Sequence, residues 1–329
     1  MPSPAEVGAV VIGRNEGERL LRCLDAMLPQ VERVVYVDSG STDDSVAEAQ
    51  KRGVEVVALD LQLPFTAARA RNAGLERLRA LDPSLRFVQF VDGDCELREG
   101  WIEAALTAFA ADPALVVVCG RRRERYPEAS PYNALCDVEW DGHAGYVDSS
   151  GGDALMKIDA LAAVDGFNPA LIAGEEPDLC HRLGLAGGKV MRLDQEMTWH
   201  DADMHRLSQW WKRMKRAGHA YAENHWDHRR DGTGFRRVDL RRILFWGGAL
   251  PLALLLAGFF SPWALLGFLV YPLQAWRIRR HVDPPAPSAR VARQYGWSCV
   301  LGKFPEFLGV LQYHAGRLTG RHSRLIEYK

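Results

Sequence analysis

Two aspartates, Asp92 and Asp94, stand one residue apart in FVDGDCE, directly after the apolar stretch Phe87, Val88, Phe90 and Val91. Carboxylates this close repel each other unless a cation or a proton lies between them, so the pair is a half-site for a hard divalent ion. The apolar stretch reads as a strand, and open α/β sheets gather their ligands at the carboxyl ends of strands. Taken alone, Asp-Gly-Asp is equally a turn that closes a hairpin. A second acidic group, Glu175, Glu176 and Asp178 in GEEPDLCHRL, has Arg182 four residues after Asp178 and reads by itself as a charged helix face. His200 in MTWHDADMH has Asp201, Asp203 and His205 nearby, a pattern shared by metal ligands and by surface clusters.

The elements that would position these residues alternate in type. Apolar β-rich runs (VGAVVIGR, VERVVYVDS, VEVVAL, LRFVQFVDGD) are each followed by a helical stretch, at Glu16 to Met27, Asp43 to Lys51, Thr66 to Arg79 and Glu99 to Ala110. This βα repetition predicts a mostly parallel sheet with helices on both faces. Ser-Thr-Asp-Asp at 41 to 44 marks one helix start, for which Asp38 is an alternative cap, and Arg98-Glu99 marks another. After Val116 the pattern loosens into a region richer in Gly, His and Trp, up to about Asp203.

The chain of 329 residues is 47% hydrophobic with a net charge of −1, which excludes a disordered chain and leaves room for one large domain or two ordinary ones. The near-neutral total conceals basic residues gathered from His205 onward. Six cysteines are scattered without a CxxC pair, and no basic segment followed by an apolar run opens the sequence. Both features predict a reducing, cytoplasmic setting without a zinc cluster.

From Ile243 to Trp276 no residue is charged. A single helix of that length would run roughly 50 Å against a hydrocarbon core of ~30 Å, yet two full passes need about 20 residues each plus a turn. Ser261-Pro262 near the middle therefore predicts a helical hairpin that enters a membrane and returns, with Pro251 and Pro272 able to kink its limbs. Arg236, Arg237, Arg241 and Arg242 precede it and Arg277, Arg279 and Arg280 follow, which places both ends on the cytoplasmic face. The preceding WWKRMKRAGHAYAENHWDHRR has the make-up of an interfacial helix whose cations meet anionic headgroups. Beside an apolar hairpin this basic stripe points to lipid, and no nucleic acid partner is expected.

Four motifs in order, VVIGRNEGERLLRCLDAM, VVYVDSGSTDDS, ARARNAGL and QFVDGDCEL, resemble the family 2 glycosyltransferases of the GT-A fold, and GGDALMKIDALAAVDGFNPAL with GEEPDLCHRL is similar to that family's acceptor-side segment. The likeness runs from about Val7 to His200. More loosely it reaches the closing SRLIEYK, similar to membrane-attached members of exopolysaccharide pathways. The resemblance implies a nucleotide-diphosphate sugar as donor, with UDP more frequent than GDP, and Mg²⁺ or Mn²⁺ as cofactor. Asp94 would hold the metal, Asp92 the ribose or the metal, and His200 would complete the site. Asn15, Glu16, Asp38, Gly40 and Arg71 would line the nucleotide pocket. Glu176 would be the base that deprotonates the acceptor, with Glu175 the alternative because many members have Glu-Asp here. Asp178 and Arg182 would support the base or the acceptor.

The expected layout is a GT-A domain over 1–204 (nucleotide half 1–97, acceptor half 98–204), basic and aromatic interfacial helices over 205–242, the membrane hairpin over 243–280 and a cytoplasmic helical tail over 281–329. The expected activity is inverting transfer of one sugar to a lipid-linked or glycan acceptor in exopolysaccharide or cell-surface glycan assembly. In SQWWKRM, Gln209 and Arg213 are separated by three residues, unlike the Gln-x-x-Arg-Trp of processive synthases, which argues against a polymerase. Nucleotidyl transfer and a catalytically silent membrane scaffold are the alternatives. A hairpin of this composition also leaves oligomerisation open.

Overall fold

A computed structural model describes residues 2–282 and 285–320; the closing SRLIEYK motif lies outside them. The chain divides into two compact units, one holding the residues up to Arg125 together with Trp140–Ala202, the other holding Tyr126–Glu139 and the chain from Asp203.

The first unit begins with the expected alternation: β1 (Val7–Gly13), α1 (Glu18–Met27), β2 (Arg33–Asp38), α2 (Ser45–Lys51), β3 (Glu55–Ala58), α3 (Ala67–Leu81) and β4 (Phe87–Asp92). Parallel pairing joins these strands in the order β3-β2-β1-β4. Six of the seven residues of β1 are buried, as a strand covered on both faces requires. Helix α1 turns Leu20, Cys23, Leu24 and Met27 to the core at i, i+3, i+4 and i+7. Helix α3 starts where Thr66 accepts the backbone N–H of Arg69.

Beyond β4 come β5 (Cys95–Leu97), α4 (Trp101–Ala111), β6 (Leu115–Glu124), α5 (Pro131–Trp140), β7 (Gly145–Tyr146), β8 (Ala154–Lys157), α6 (Ile158–Ala163), α7 (Glu175–Leu185) and β9 (Lys189–His200). Here the sheet turns mixed. β8 enters antiparallel between β4 and β6, β9 runs parallel to β6, and β5 and β7 pair antiparallel with β9. The loosened pattern after Val116 conceals the ten-residue strand β6, whose pairing with β9 shifts register at Leu115/Val117, Cys119/Arg121 and Arg121/Arg122. Such irregularities bend and twist a strand, which breaks the inside-outside alternation a sequence reading depends on.

In the second unit α8 (Leu207–Asp227) packs along α13 (Lys303–Leu318). Their backbones touch at two glycines: a Cβ on Gly218 would fall 2.0 Å from the carbonyl oxygen of Glu306, and one on Gly309 would fall 2.0 Å from that of Lys215. Trp210 of α8 is buried and donates its indole N–H to Ser298 of α12 (Ala289–Leu301). Helix α9 (Arg237–Leu244) continues through a π-helical turn over Phe245–Ala249 into α10 (Leu250–Phe260). The chain reverses at Ser261-Pro262 and returns as a 3₁₀ segment, Pro262–Leu269, and α11 (Val270–Arg280). The Tyr271 hydroxyl donates to the Trp246 carbonyl and ties the two limbs. The continuous helix Arg237–Phe260 has 24 residues; its most apolar 18-residue window has a mean hydropathy of 2.1, and 11% of that window is buried. By length and composition it is able to cross a membrane.

Candidate active site

The Asp-Gly-Asp turn closes no hairpin. It leaves β4 in the middle of the sheet and enters β5, the strand at the far edge, which pairs with β9 and sets Cys95 opposite His200. The backbone N–H of Asp201 donates to the Asp94 carbonyl and extends this pairing to the turn. His200 is thereby brought to Asp94 from 106 positions away.

At the carboxyl end of β2, Asp38 is buried and accepts the backbone N–H groups of Gly40 (2.9 Å) and Ser41 (3.0 Å) and the hydroxyl of Tyr36 (3.1 Å). This is a turn held by its own aspartate; helix α2 begins only at Ser45, so Asp38 does not cap it. Asn15, in the left-handed region at φ 55°, accepts the N–H of Thr42 at 2.7 Å and donates its own to Ser41. The loops after β1 and β2 are therefore one interlocked surface. Glu16 pairs with Arg19 at 2.9 Å beside it.

Arg71 is 2% exposed. It belongs to the core-facing stripe of α3, with Gly74, Leu75 and Leu78 at i+3, i+4 and i+7. Its Nη2 donates to Asp92 at 2.8 Å and its Nη1 to Glu175 at 2.6 Å, with the Phe167 ring 5.5 Å away. Asp92 receives a second cation from β6, since Arg122 Nη2 lies 3.7 Å from it and 2.9 Å from the fully buried Asp153. Asp153 also accepts the Asp92 backbone N–H at 3.0 Å and the Thr198 hydroxyl at 2.9 Å. A Cβ on Gly152 would stand 2.7 Å from the Asp92 carboxylate, so the loop before β8 approaches as closely as only glycine permits.

Asp94 and His200 form a separate pair, His200 Nε2 lying 3.5 Å from Asp94 Oδ2, both buried. Two donors each ~2.1 Å from one ion and at right angles would lie about 3 Å apart, so a carboxylate and an imidazole at this spacing fit a single divalent cation. The Cys95 sulfur shares the cluster. Burial pushes its thiol pKa well up and keeps it protonated, which suits it poorly to a hard ion. Asp92 stands with the arginines rather than in this group.

Helix α7 supplies the other carboxylates. Glu175 turns to Arg71. Glu176 is buried, and its Oε1 accepts the Ser150 N–H at 2.5 Å, the Ser150 hydroxyl at 2.8 Å and the Cys180 thiol at 2.9 Å. Desolvation raises the Glu176 pKa against the lowering effect of those hydrogen bonds. Asp178, two residues on, is buried and is gripped by Arg182 at 2.9 and 2.8 Å. Arg182 also donates to the carbonyls of Val164 and Gly166, so this pair anchors the loop leading to α7. Asn72 latches the same loop, exchanging two hydrogen bonds with the Phe167 backbone.

Residues 9–149 match the family model described as Glycosyl transferase family 2. They form a family 2 glycosyltransferase domain. Over 218 residues the chain is 29% identical to the pre-mycofactocin glycosyltransferase of Mycobacterium tuberculosis, a match covering 61% of this chain and 43% of that protein. It is 25% identical over 194 residues to the succinoglycan biosynthesis protein ExoA of Rhizobium meliloti, covering 55% of this chain and 58% of the relative. The chain thus spans about half the length of these relatives. Among solved structures it resembles the mannosyltransferase PcManGT from Pyrobaculum calidifontis in complex with GDP-Man and Mn²⁺, with a TM-score of 0.57, 17% identity and coverage of 97% of this chain and 89% of that one. That likeness gives the fold, GT-A.

The residues of this site that sequence reasoning passed over are Arg122, Glu124, Ser150 and Asp153. Arg122 and Glu124 sit in RRRER, which reads as a solvated charge run; the bends of β6 turn both inward. Arg71 did carry a signal, because an arginine in a stripe with Leu75 and Leu78 faces the core and requires buried carboxylates.

Proposed function

We propose that the chain transfers one sugar, with inversion at the anomeric carbon, from a nucleotide-diphosphate sugar to a lipid-linked or glycan acceptor at the cytoplasmic face of a membrane. The observation that carries this reading is the link through Arg71: Asp92, beside the metal candidate Asp94, and Glu175, beside the base candidate Glu176, share one buried guanidinium. The donor-binding and acceptor-activating ends of the site are thereby registered to each other.

Asp94 and His200 would hold Mg²⁺ or Mn²⁺, which when bound supplies positive charge to the leaving diphosphate. Asn15, Asp38 and the Gly40 turn offer the nucleoside a surface fixed by its own hydrogen bonds. Glu176 takes the proton of the attacking acceptor hydroxyl, with Ser150 and Cys180 fixing the direction of its carboxylate. Its raised pKa makes the ionised form a stronger base than a solvated glutamate. Glu175, neutralised by Arg71, orients acceptor hydroxyls beside it, and Asp178 with Arg182 steadies the loop that presents both.

Support for the membrane comes from the second unit. Phe259, Phe260 and Trp263 at the hairpin turn are 87, 86 and 79% exposed, and arginines collar the bases of both limbs. An apolar tip of that exposure belongs in hydrocarbon. That placement supports a lipid-linked acceptor, and the likeness to the succinoglycan biosynthesis protein ExoA supports a role in exopolysaccharide or cell-surface glycan assembly.

Calorimetric titration of UDP and of GDP into detergent-purified protein, with Mn²⁺, with Mg²⁺ and with chelator, tests the donor end. Metal-dependent binding lost in Asp94→Ala supports the reading, and binding indifferent to metal and to Asp94 refutes it. Release of nucleoside diphosphate only when sugar donor and acceptor are both present tests transfer itself.

A further inference from the structure

His200 lies between two carboxylates. Asp94 faces its Nε2 at 3.5 Å, and Glu124 Oε2 stands 3.8 Å from its Nδ1. Glu124 is 1% exposed, at the end of β6. The strand pairing that sets Glu124 opposite His200 is closed by the Arg125 N–H donating to the His200 carbonyl at 2.8 Å. The Glu124 carboxylate is itself pinned, since Oε2 accepts the N–H of Ala202 two residues beyond the histidine. The Trp140 ring packs edge-on against the imidazole at 4.4 Å and limits its rotation.

We propose that Glu124 is a positioning residue for His200, its negative charge 3.8 Å behind Nδ1 favouring the proton there so that the Nε2 lone pair points to the cation that Asp94 shares. A histidine ligand binds metal through a nitrogen that carries no proton, and a carboxylate behind the other nitrogen fixes that tautomer, orients the ring and raises its basicity. Burying a glutamate is costly unless its carboxylate is partnered, and here Oε2 faces both the Ala202 N–H and the imidazole, which ties the strand end to the histidine. Arg122, two residues earlier on the same strand, holds Asp92. One segment of β6 thus supports both the aspartate that meets the arginines and the histidine that meets the metal. The inference rests on the reading of Asp94 and His200 as the ion-holding pair.

The test is Mn²⁺ affinity, read from the EPR signal of free Mn²⁺ in titrations of the detergent-purified full chain with UDP or GDP present. Glu124→Gln keeps the size and loses the charge; it should weaken Mn²⁺ binding 10- to 100-fold, the usual cost of losing such a partner. The thermal midpoint in EDTA, measured alongside, reports a purely structural role. A lowered midpoint with unchanged Mn²⁺ affinity overturns the proposal, as does no change in either. If Glu124→Gln fails to fold, Glu124→Asp, which retains the charge one methylene further back, should show a smaller loss of affinity, and unchanged affinity there overturns it too. His200→Ala separates the two levels: if it binds Mn²⁺ like the unaltered chain, the ion-holding pair itself is wrong.

Discussion

Arg71 and Glu175 are 104 positions apart in the chain, yet Nη1 of one lies 2.6 Å from Oε1 of the other. With Asp92 on the second guanidinium nitrogen, this is an ion triad built on a buried guanidinium and two half-buried carboxylates, and the planar fork of arginine satisfies both at once. Desolvation makes such a group costly to assemble and more costly to break.

Arg71→Ala should destabilise the first unit by about 3 kcal/mol, the low end for breaking a buried ion pair, because Glu175 loses its cation while the half-buried Asp92 keeps Arg122. Arg71→Lys keeps the charge but is unable to span both partners, and it should retain stability better than activity. Urea denaturation and kcat/KM, measured on the same preparations, check this. Equal stability of all three forms would contradict the triad.

Glu176→Gln should remove transfer while leaving nucleotide binding in place, since the side chain keeps its shape and its approach to Ser150. Burial raises the carboxyl above its ordinary 4.5, so kcat/KM should rise with pH through a limb displaced upward from that value. Stability responds in the opposite sense. Between 4.5 and the raised value the folded chain keeps a proton that the unfolded chain has released, so stability falls as pH rises, and Glu176→Gln should lose that contribution. Unfolding curves across the acid range, with and without the substitution, measure the difference.

Gly309→Ala should destabilise the contact of α8 with α13, because the added methyl would fall 2.0 Å from the Lys215 carbonyl oxygen and the helices must separate. Overpacking of this kind costs roughly 1–3 kcal/mol or more. Faster tryptic cleavage within the second unit, with Mn²⁺-dependent nucleotide binding retained, is the expected outcome.

Replacing Phe259, Phe260 and Trp263 together with serine should abolish or sharply weaken flotation with liposomes, since these side chains form the exposed turn of the hairpin. Arg241→Glu with Arg242→Glu should weaken flotation chiefly on vesicles containing anionic lipid, by about 1 kcal/mol per cation lost near the surface. Undiminished binding of the aromatic variant to neutral vesicles would sink the insertion reading.

The sequence by itself determined the βα alternation from β1 to β4, because periodicity is local and the runs of β1, β2 and β4 are apolar enough to be covered strands. It also determined the turn at Ser261-Pro262, where a long uncharged run is interrupted by a residue that continues no helix. It singled out Asp92 and Asp94 as candidates through their spacing, and Glu176, with Glu175 as the alternative, through the family resemblance. Only the tertiary structure decided which of these carboxylates stand together. Asp92 went to Arg71 and Arg122, Asp94 to His200, and Glu175 to Arg71 while Glu176 turned to Ser150, although neighbouring residues in sequence look interchangeable. The physical reason lies in the bent pairing of β6 with β9. Register shifts there carry Arg122, Glu124 and His200 to the end of β4, and the free energy of burying those charges depends on partners contributed by distant strands, which no local pattern encodes.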